Sequence, residues 1–405
     1  MAVNLPPLPE LFPVAGIRLG TSRAQIRKKD RRDLVVIECA PGTQAAAIFT
    51  QNRFCAAPVT VAREHLGQAV PRALLINTGF ANAGTGIEGM DDARHSCTAL
   101  ASSLGCASNE VLPFSTGVIG ERLPVERLVA GLPGSLAALS ESGWAEAAHG
   151  IMTTDTLPKG SARRVQIDGK TVTITGIAKG AGMICPNMAT LLAFIATDAA
   201  APSSILQQCL EAAANESFNR ISVDGDTSTN DSCVLLATGK SGVELNVATG
   251  KTYKVFYAAV RDVLAELAQA IVRDAEGATK FITFDVVQGA SQADCLEVAF
   301  TIAHSPLVKT AFFASDPNWG RILAAVGRAR IPKLQVDRVS IHLDDVCIVR
   351  NGSRAPEYTE MRGQAVMARP EICVRVDLGG GTESARLWTC DLSHDYVTIN
   401  AEYRT

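Results

Sequence analysis

Residues 179–199 read KGAGMICPNMATLLAFIATDA. The run Leu191-Leu192-Ala193-Phe194-Ile195-Ala196 inside it is short and continuously apolar, the pattern of a buried strand. Thr190 stands immediately before this run, after Pro186-Asn187-Met188-Ala189. A threonine hydroxyl is too weakly acidic to attack a carbonyl unaided. Hydrolysis of the Ala189–Thr190 bond would set an α-amine, of reference pKa roughly 7.7 to 8.0, beside that hydroxyl as its base. Nucleophile and base would then share one residue, and no distant histidine is required. The competing reading is structural, because β-branched side chains suit strands and ordinarily pack there.

Outward from this stretch, strand-like runs recur at Leu34 to Ile37, Ala73 to Ile76, Thr171 to Ile174 and Ser232 to Ala237. Helix-like stretches alternate with them at Asp91 to Leu104, Ile205 to Phe218 and Tyr253 to Val272. In the last, Phe256, Val260, Val263, Leu264, Leu267 and Ile271 fall mostly at steps of three and four and give one buried stripe. The mixture predicts an α/β fold, an α+β layered sandwich. A chain of 405 residues exceeds one minimal core, so two lobes or one extended unit are expected. Ser203 or Ser204 is the expected N-cap after Pro202, and composition shifts again at Ile331-Pro332-Lys333, before strand-like Val339 to Leu343, Val346 to Val349 and Ile372 to Val376.

The formal net charge of −3 offers no clustered basic excess for nucleic acid or an anionic membrane. The run Arg23 to Arg32 (RAQIRKKDRR) reads as a solvated hairpin or loop face, interrupted by Asp30 and without aromatic residues. No apolar run approaches the about eighteen residues of a membrane span, and the first residues lack a basic head and an apolar signal core, so a cytoplasmic protein is expected. Eleven cysteines without a Cys-x-x-Cys pair fit neither a disulfide framework nor a zinc site. Cys185 is the one to weigh as a nucleophile, and it lacks a nearby histidine.

Several lookalikes fail on their spacing. Gly169-Lys170-Thr171 ends like a phosphate loop, but Arg164 occupies the place of its first glycine, and the region reads as a turn into a strand. Asp377-Leu378-Gly379-Gly380-Gly381-Thr382 reads as a flexible, hairpin-like turn. Asp224, Asp226, Asn230 and Asp231 lack the loop spacing and terminal Glu of a calcium loop. Ser115-Thr116-Gly117-Val118-Ile119-Gly120 offers two glycines and consecutive main-chain amides, either a tight turn or donors for an oxyanion.

The run AKGAGMICPNMATLLAFIATDA resembles the cleavage and nucleophile motif of the ornithine acetyltransferases, also called glutamate N-acetyltransferases, a family of self-cleaving enzymes in arginine biosynthesis. The likeness extends through STGVIGERLP from Ser115, IMTTDTLPK from Ile151, FNRISVDGDTSTND from Phe218, DAEGATKFI from Asp274, ASDPNWGRILAAVGR from Ala314 and the terminal INAEYRT. It implies an N-terminal-nucleophile-type fold of two interleaved lobes, cut between Ala189 and Thr190. The resulting chains, 1–189 and 190–405, would assemble as a heterotetramer of two copies of each.

The resemblance makes Thr190 the nucleophile and Thr116 with Gly117 the oxyanion donors. Thr153, Lys179, Thr190, Glu276, Asn400 and Thr405 become the substrate contacts, with Glu276 meeting the substrate amino group. Read alone, these are surface polar residues, a helix-end carboxylate paired with Arg273 or Lys280, and a frayed tail. The implied reaction is acetyl transfer from N2-acetylornithine to glutamate by a ping-pong route, releasing ornithine and N-acetylglutamate. No metal or prosthetic group is implied, and use of acetyl-CoA as a second donor stays open. Phe80, Gly84 and Cys185 depart from the family pattern. An N-terminal-nucleophile amidohydrolase or aminopeptidase, and a processed amino-acid-binding protein without catalysis, are the alternatives.

Overall fold

The computed structural model describes residues 2–27, 30–185 and 191–402. Ala189, Thr190 and Thr405 lie outside the described residues. The chain divides into two compact units, each discontinuous in sequence. One comprises Pro6–Asn219 and Asp226–Ile271; the other comprises Met1–Leu5, Arg220–Gly225 and Val272–Thr405. The fold is mixed α/β, as the alternation of runs predicts.

In chain order the strands are β1 (Ile17–Ser22), β2 (Leu34–Cys39), β3 (Gln44–Phe49), β4 (Ala73–Phe80), β5 (Val111–Val118), β6 (Lys159–Ile167), β7 (Lys170–Lys179) and β8 (Leu192–Thr197). They continue with β9 (Ile221–Ser222), β10 (Ser232–Ala237), β11 (Phe281–Gly289), β12 (Ser340–Leu343), β13 (Val346–Arg350), β14 (Ser353–Arg354), β15 (Glu371–Asp377) and β16 (Glu383–Cys390). The helices of the first unit are α1 (Ala57–Leu66), α2 (Gly86–Leu104), α3 (Val125–Ala137), α4 (Trp144–Gly150), α5 (Ser203–Asn215) and α6 (Gly250–Arg273), the last running into the second unit's segment.

The first unit stacks a four-stranded sheet, β1-β2-β4-β5, on a five-stranded one, β3-β10-β8-β7-β6. Alternation along β2 sorts its side chains. Val35 and Ile37 join Leu74, Ile76, Leu112 and Phe114 against Ile177, Leu192, Phe194 and Val234 of the other sheet. Leu34 and Val36 turn the opposite way, onto Cys97 and Leu100 of α2 and Leu128 and Leu132 of α3. Phe114 and Phe194 meet edge to face across the two sheets, centroids 5.1 Å apart, and burial of each ring contributes about 1.5–3 kcal/mol. On the far side α6 lies close over β7: a methyl group on Gly176 would meet Val263 and Leu267 at 3.2 Å. The result is four layers, with helices outside and two sheets between.

The second unit is a seven-stranded sheet, β14-β13-β12-β15-β11-β16-β9. One core, containing Phe284, Val374 and Leu387, joins it to α7 (Gln292–Ala303), α8 (Pro306–Phe313), α9 (Trp319–Gly327) and α10 (Glu360–Met367). A final helix, α11 (His394–Ala401), follows β16.

Two local expectations need correction. Asp377 to Thr382 is no hairpin: β15 runs parallel to β11 while β16 runs antiparallel to it on the other side, so the segment crosses the end of β11. Gly381 packs there so closely that a Cβ would lie 2.2 Å from the Gly289 oxygen. The N-cap of α5 is Pro202, with no side-chain cap, because both serines are already helical. The strand-like runs expected after the composition shift at Ile331 to Lys333 are present as β12, β13 and β15. The turn expected at Gly169 is present, with Asp168 (φ 50°) and Gly169 (φ 77°) both left-handed between β6 and β7, the backbone a two-residue hairpin requires. Among the described residues no helix is long and apolar enough to cross a membrane.

Candidate active site

Ser115, Thr116 and Gly117 are strand, not loop: β5 runs to Val118 and pairs in parallel with β4. The register slips where Gly79 and Phe80 oppose Thr116 to Val118, a bulge that breaks the regular ladder. Gly79 (φ 112°) and Gly117 (φ 138°) sit back to back there, and a Cβ on Gly117 would be 2.2 Å from the Gly79 carbonyl carbon. Glycine at 117 is therefore a steric requirement of the bulge. Asn77 ties the feature together: its Oδ1 accepts from Ser115 Oγ at 2.6 Å and its Nδ2 donates to the Phe80 oxygen at 3.0 Å. Gly120 plays a different part, its amide bonding the Ala83 oxygen at 2.9 Å. Phe80 lies under the Arg27 guanidinium, 5.4 Å from the ring centroid.

Lys179 ends β7, opposite Leu192 at the start of β8. It is buried, and its Nζ donates to Thr116 Oγ1 at 3.1 Å. One expected substrate residue and one expected oxyanion residue are thus in contact. A threonine hydroxyl that accepts from an ammonium keeps its own proton to donate elsewhere.

Asp155 was not singled out from the sequence, yet it organises this site. Its Oδ1 accepts from Lys159 Nζ at 2.6 Å and from the Gly180 amide at 2.8 Å, and its Oδ2 accepts from the Thr153 amide at 2.9 Å. The carboxylate therefore joins Thr153 to the residue after Lys179. Burial alone would raise its pKa, but the ammonium groups of Lys159 and Lys179 outweigh that and hold it well below the usual carboxylate range. The signal was present as an Asp and a Lys four residues apart in TTDTLPK. The basic run also departs from a purely solvated face, since partly buried Arg31 donates to the Thr153 oxygen at 2.8 Å.

The residue after Thr190 is held on both sides. The Leu191 amide donates to Asp231 Oδ1 at 2.9 Å, and its carbonyl accepts from the Ser232 amide at 3.0 Å. Cys185 is partly buried. Thr116, Gly117, Thr153 and Lys179 all belong to the first unit.

Glu276 and Asn400 belong to the second unit, where the structure brings them together: Asn400 Nδ2 donates to Glu276 Oε2 at 2.8 Å. The structural partners expected for Glu276 are engaged elsewhere, Arg273 with Glu371 at 2.8 Å and Lys280 with the Arg369 oxygen at 3.2 Å. Nor is the chain end frayed up to residue 402. Ser393 caps α11 and donates to the Gly277 oxygen at 2.6 Å. Tyr396 donates to Asp224 at 3.2 Å. Gly277 (φ 68°) leaves room for the helix, since a Cβ there would lie 2.5 Å from the Tyr396 amide.

Comparison with known proteins places the chain in a family. The ArgJ family model matches residues 18–405. The arginine biosynthesis bifunctional protein ArgJ of Methylococcus capsulatus is 61% identical over 395 residues, 98% of this chain and 97% of that protein. Crystal structures of two further relatives match in part. ArgJ from Bacillus halodurans is 36% identical over 50% of this chain and 95% of its own, with a TM-score of 0.48. Ornithine acetyltransferase from Mycobacterium tuberculosis, complexed with ornithine, is 31% identical over 44% of this chain and 97% of its own, with a TM-score of 0.39.

Proposed function

From its membership of the ArgJ family, over nearly its whole length, we propose that this chain moves an acetyl group from N2-acetylornithine to glutamate through an acetyl-threonine on Thr190. The relatives are named bifunctional, which supports a second reaction in which acetyl-CoA acetylates glutamate. Both reactions serve arginine biosynthesis in the cytoplasm.

The precursor cuts itself between Ala189 and Thr190. The Thr190 hydroxyl attacks the Ala189 carbonyl, the amide becomes an ester, and water releases a new amino terminus. In turnover the Thr190 α-amine takes the hydroxyl proton as the oxygen attacks the acetyl carbon. Thr116 and Gly117 receive the negative charge that develops on the acetyl oxygen, ornithine leaves, and the amine of glutamate collects the acetyl group. Lys179 holds the substrate carboxylate and Thr153 bonds its carboxylate or amide, Glu276 meets the substrate amino group, and Asn400 and Thr405 complete the substrate contacts. The two chains, 1–189 and 190–405, stay together as a heterotetramer of two each.

The observation that carries this reading is the buried contact between Lys179 Nζ and Thr116 Oγ1. It supports a Thr116 hydroxyl polarised to donate toward an oxyanion, where one preorganised donor contributes about 2.7–4 kcal/mol. The test is to supply purified protein and glutamate with acetylornithine and acetyl-CoA in turn, and to trap the acetyl group. Mass addition of one acetyl on a fragment beginning at Thr190 is expected. Acetylornithine hydrolysed to acetate without transfer would instead identify an amidohydrolase.

A further inference from the structure

The segment Ser228-Thr229-Asn230-Asp231, which makes no calcium loop, is buried throughout and leads directly into β10. Asn230 uses both amide protons. Its Nδ2 donates to the Ala81 oxygen at 2.6 Å and to the Ser115 oxygen at 2.9 Å. These acceptors lie just beyond the end of β4 and within β5, on either side of the bulge that carries Gly79 and Gly117. The Asn230 Oδ1 accepts from Thr229 Oγ1 at 2.5 Å, which holds the amide in that orientation.

The next side chain reaches another strand. Asp231 Oδ1 takes the Leu191 amide at 2.9 Å, while the Asp231 main-chain oxygen accepts from the Thr50 amide at 2.9 Å. Leu191 is one peptide from Thr190, so any displacement of its amide displaces the nucleophile by a similar amount. Two neighbouring side chains on one rigid strand entrance therefore hold the oxyanion strand and the nucleophile strand. We propose that Asn230 and Asp231 are positioning residues that set the separation between Thr190 and the Thr116–Gly117 donors. This rests on the reading of Thr190 as nucleophile.

Asp231 is 1% exposed, and its Oδ2 has no hydrogen-bond partner among the described residues. Burial pushes its carboxyl well above the ordinary carboxylate range, against the opposing pull of the Leu191 amide and the Lys179 ammonium. Asp231 Oδ1 serves as the acceptor for the Leu191 amide, and the side-chain oxygen of an asparagine would offer the same acceptor.

The experiment compares Asp231→Ala, Asp231→Asn and Asn230→Ser in the full chain, with Thr190→Ala as reference. It measures the rate of self-cleavage by mass, kcat and KM per cleaved molecule, and Tm. Misplacement by about 1 Å costs about 100-fold in rate. Asp231→Ala and Asn230→Ser should accordingly cleave slowly and lose about that factor in kcat, with KM within a few-fold of the parent. Asp231→Asn should recover cleavage and most of kcat. Parental cleavage and kcat in Asp231→Ala and Asn230→Ser would overturn the proposal. So would a defect in Asp231→Asn equal to that of Asp231→Ala, or a fall in Tm that carries kcat and KM down together. Thr190→Ala separates the two levels: if it is cut and active the nucleophile assignment fails, whereas if it is dead while the other variants are normal only the positioning role fails.

Discussion

Two buried aspartates in the first unit carry opposite signs, and stability measurements can read them apart. Asp155 has its folded pKa depressed. Its contribution is therefore present above the unfolded value of about 3.9 and is lost as pH falls through the folded value. Asp231 has its folded pKa raised, so its contribution is present below the unfolded value and is lost as pH rises through the folded one. At pH 7 Asp155→Asn leaves Lys159, whose side chain is fully buried, without its counter-charge, a loss of about 3–5 kcal/mol. Asp231→Asn should instead raise Tm at pH 7, because no carboxylate is forced to stay protonated. The Asp231→Asn difference should shrink towards about pH 4, whereas the Asp155→Asn difference should persist at that pH and shrink only below it. Thermal melts of both variants from pH 4 to 8 check this, and a lower Tm for Asp231→Asn at pH 7 contradicts it. At the proposed nucleophile, Thr190→Ser should cut and react more slowly than the parent, because it keeps the hydroxyl but loses the methyl that restricts its rotamer. With chemistry limiting, the parental rate should rise with pH through the Thr190 amine, whose reference value is about 7.7 to 8.0. A rate flat from about pH 6 to about pH 9 would point to another base.

The elements most legible in the sequence are those whose burial is decided locally. The apolar runs at Leu34, Ala73 and Ser232 became β2, β4 and β10 because both faces of each strand are covered, and the stripe from Phe256 to Ile271 became the buried side of α6. Less legible was anything that depends on what lies beside an element. The path of Asp377 to Thr382 depends on β11 lying between β15 and β16. The bulge at Gly79 and Gly117 exists only because two distant strands meet there. Asp155 was overlooked for the same reason: the Gly180 amide is 25 positions away. Glu276 and Asn400 were named through the family resemblance, and their direct contact is invisible to local periodicity. That contact makes α11 a testable element. Deleting Asn400 to Thr405, or adding a carboxyl-terminal tag, should raise KM severely while cleavage at Thr190 proceeds, because in the proposed reaction Asn400 and Thr405 act on substrate and not on the Ala189 carbonyl. An amino-terminal tag should be harmless by comparison. Unchanged KM in both carboxyl-terminal forms would show that these are ordinary tail residues.

At the scale of the molecule, a cut before Thr190 does not follow the division into units. The five-stranded sheet has the order β3-β10-β8-β7-β6, and its strands come from both sides of the cut. Strands β3, β7 and β6 precede residue 190, while β8 and β10 follow it and lie inserted between β3 and β7. Separating the fragments would require breaking two strand interfaces, β10 with β3 along six residue pairs and β8 with β7 along six more. It would also open the core in which Phe194 and Val234 of one fragment pack on Phe114 and Ile37 of the other. Exposing that apolar area to water has no compensating gain in the folded state. The cut protein should therefore migrate as one species in size exclusion and as two fragments, beginning at Met1 and Thr190, in denaturing electrophoresis. Residues 190–405 expressed alone should be insoluble, since β8 and β10 would then present two unpaired edges, and co-expression with residues 1–189 should restore solubility. Soluble, monomeric 190–405 with a cooperative melt would show that the two strands are dispensable to its fold and would remove the structural reason for the fragments to remain together.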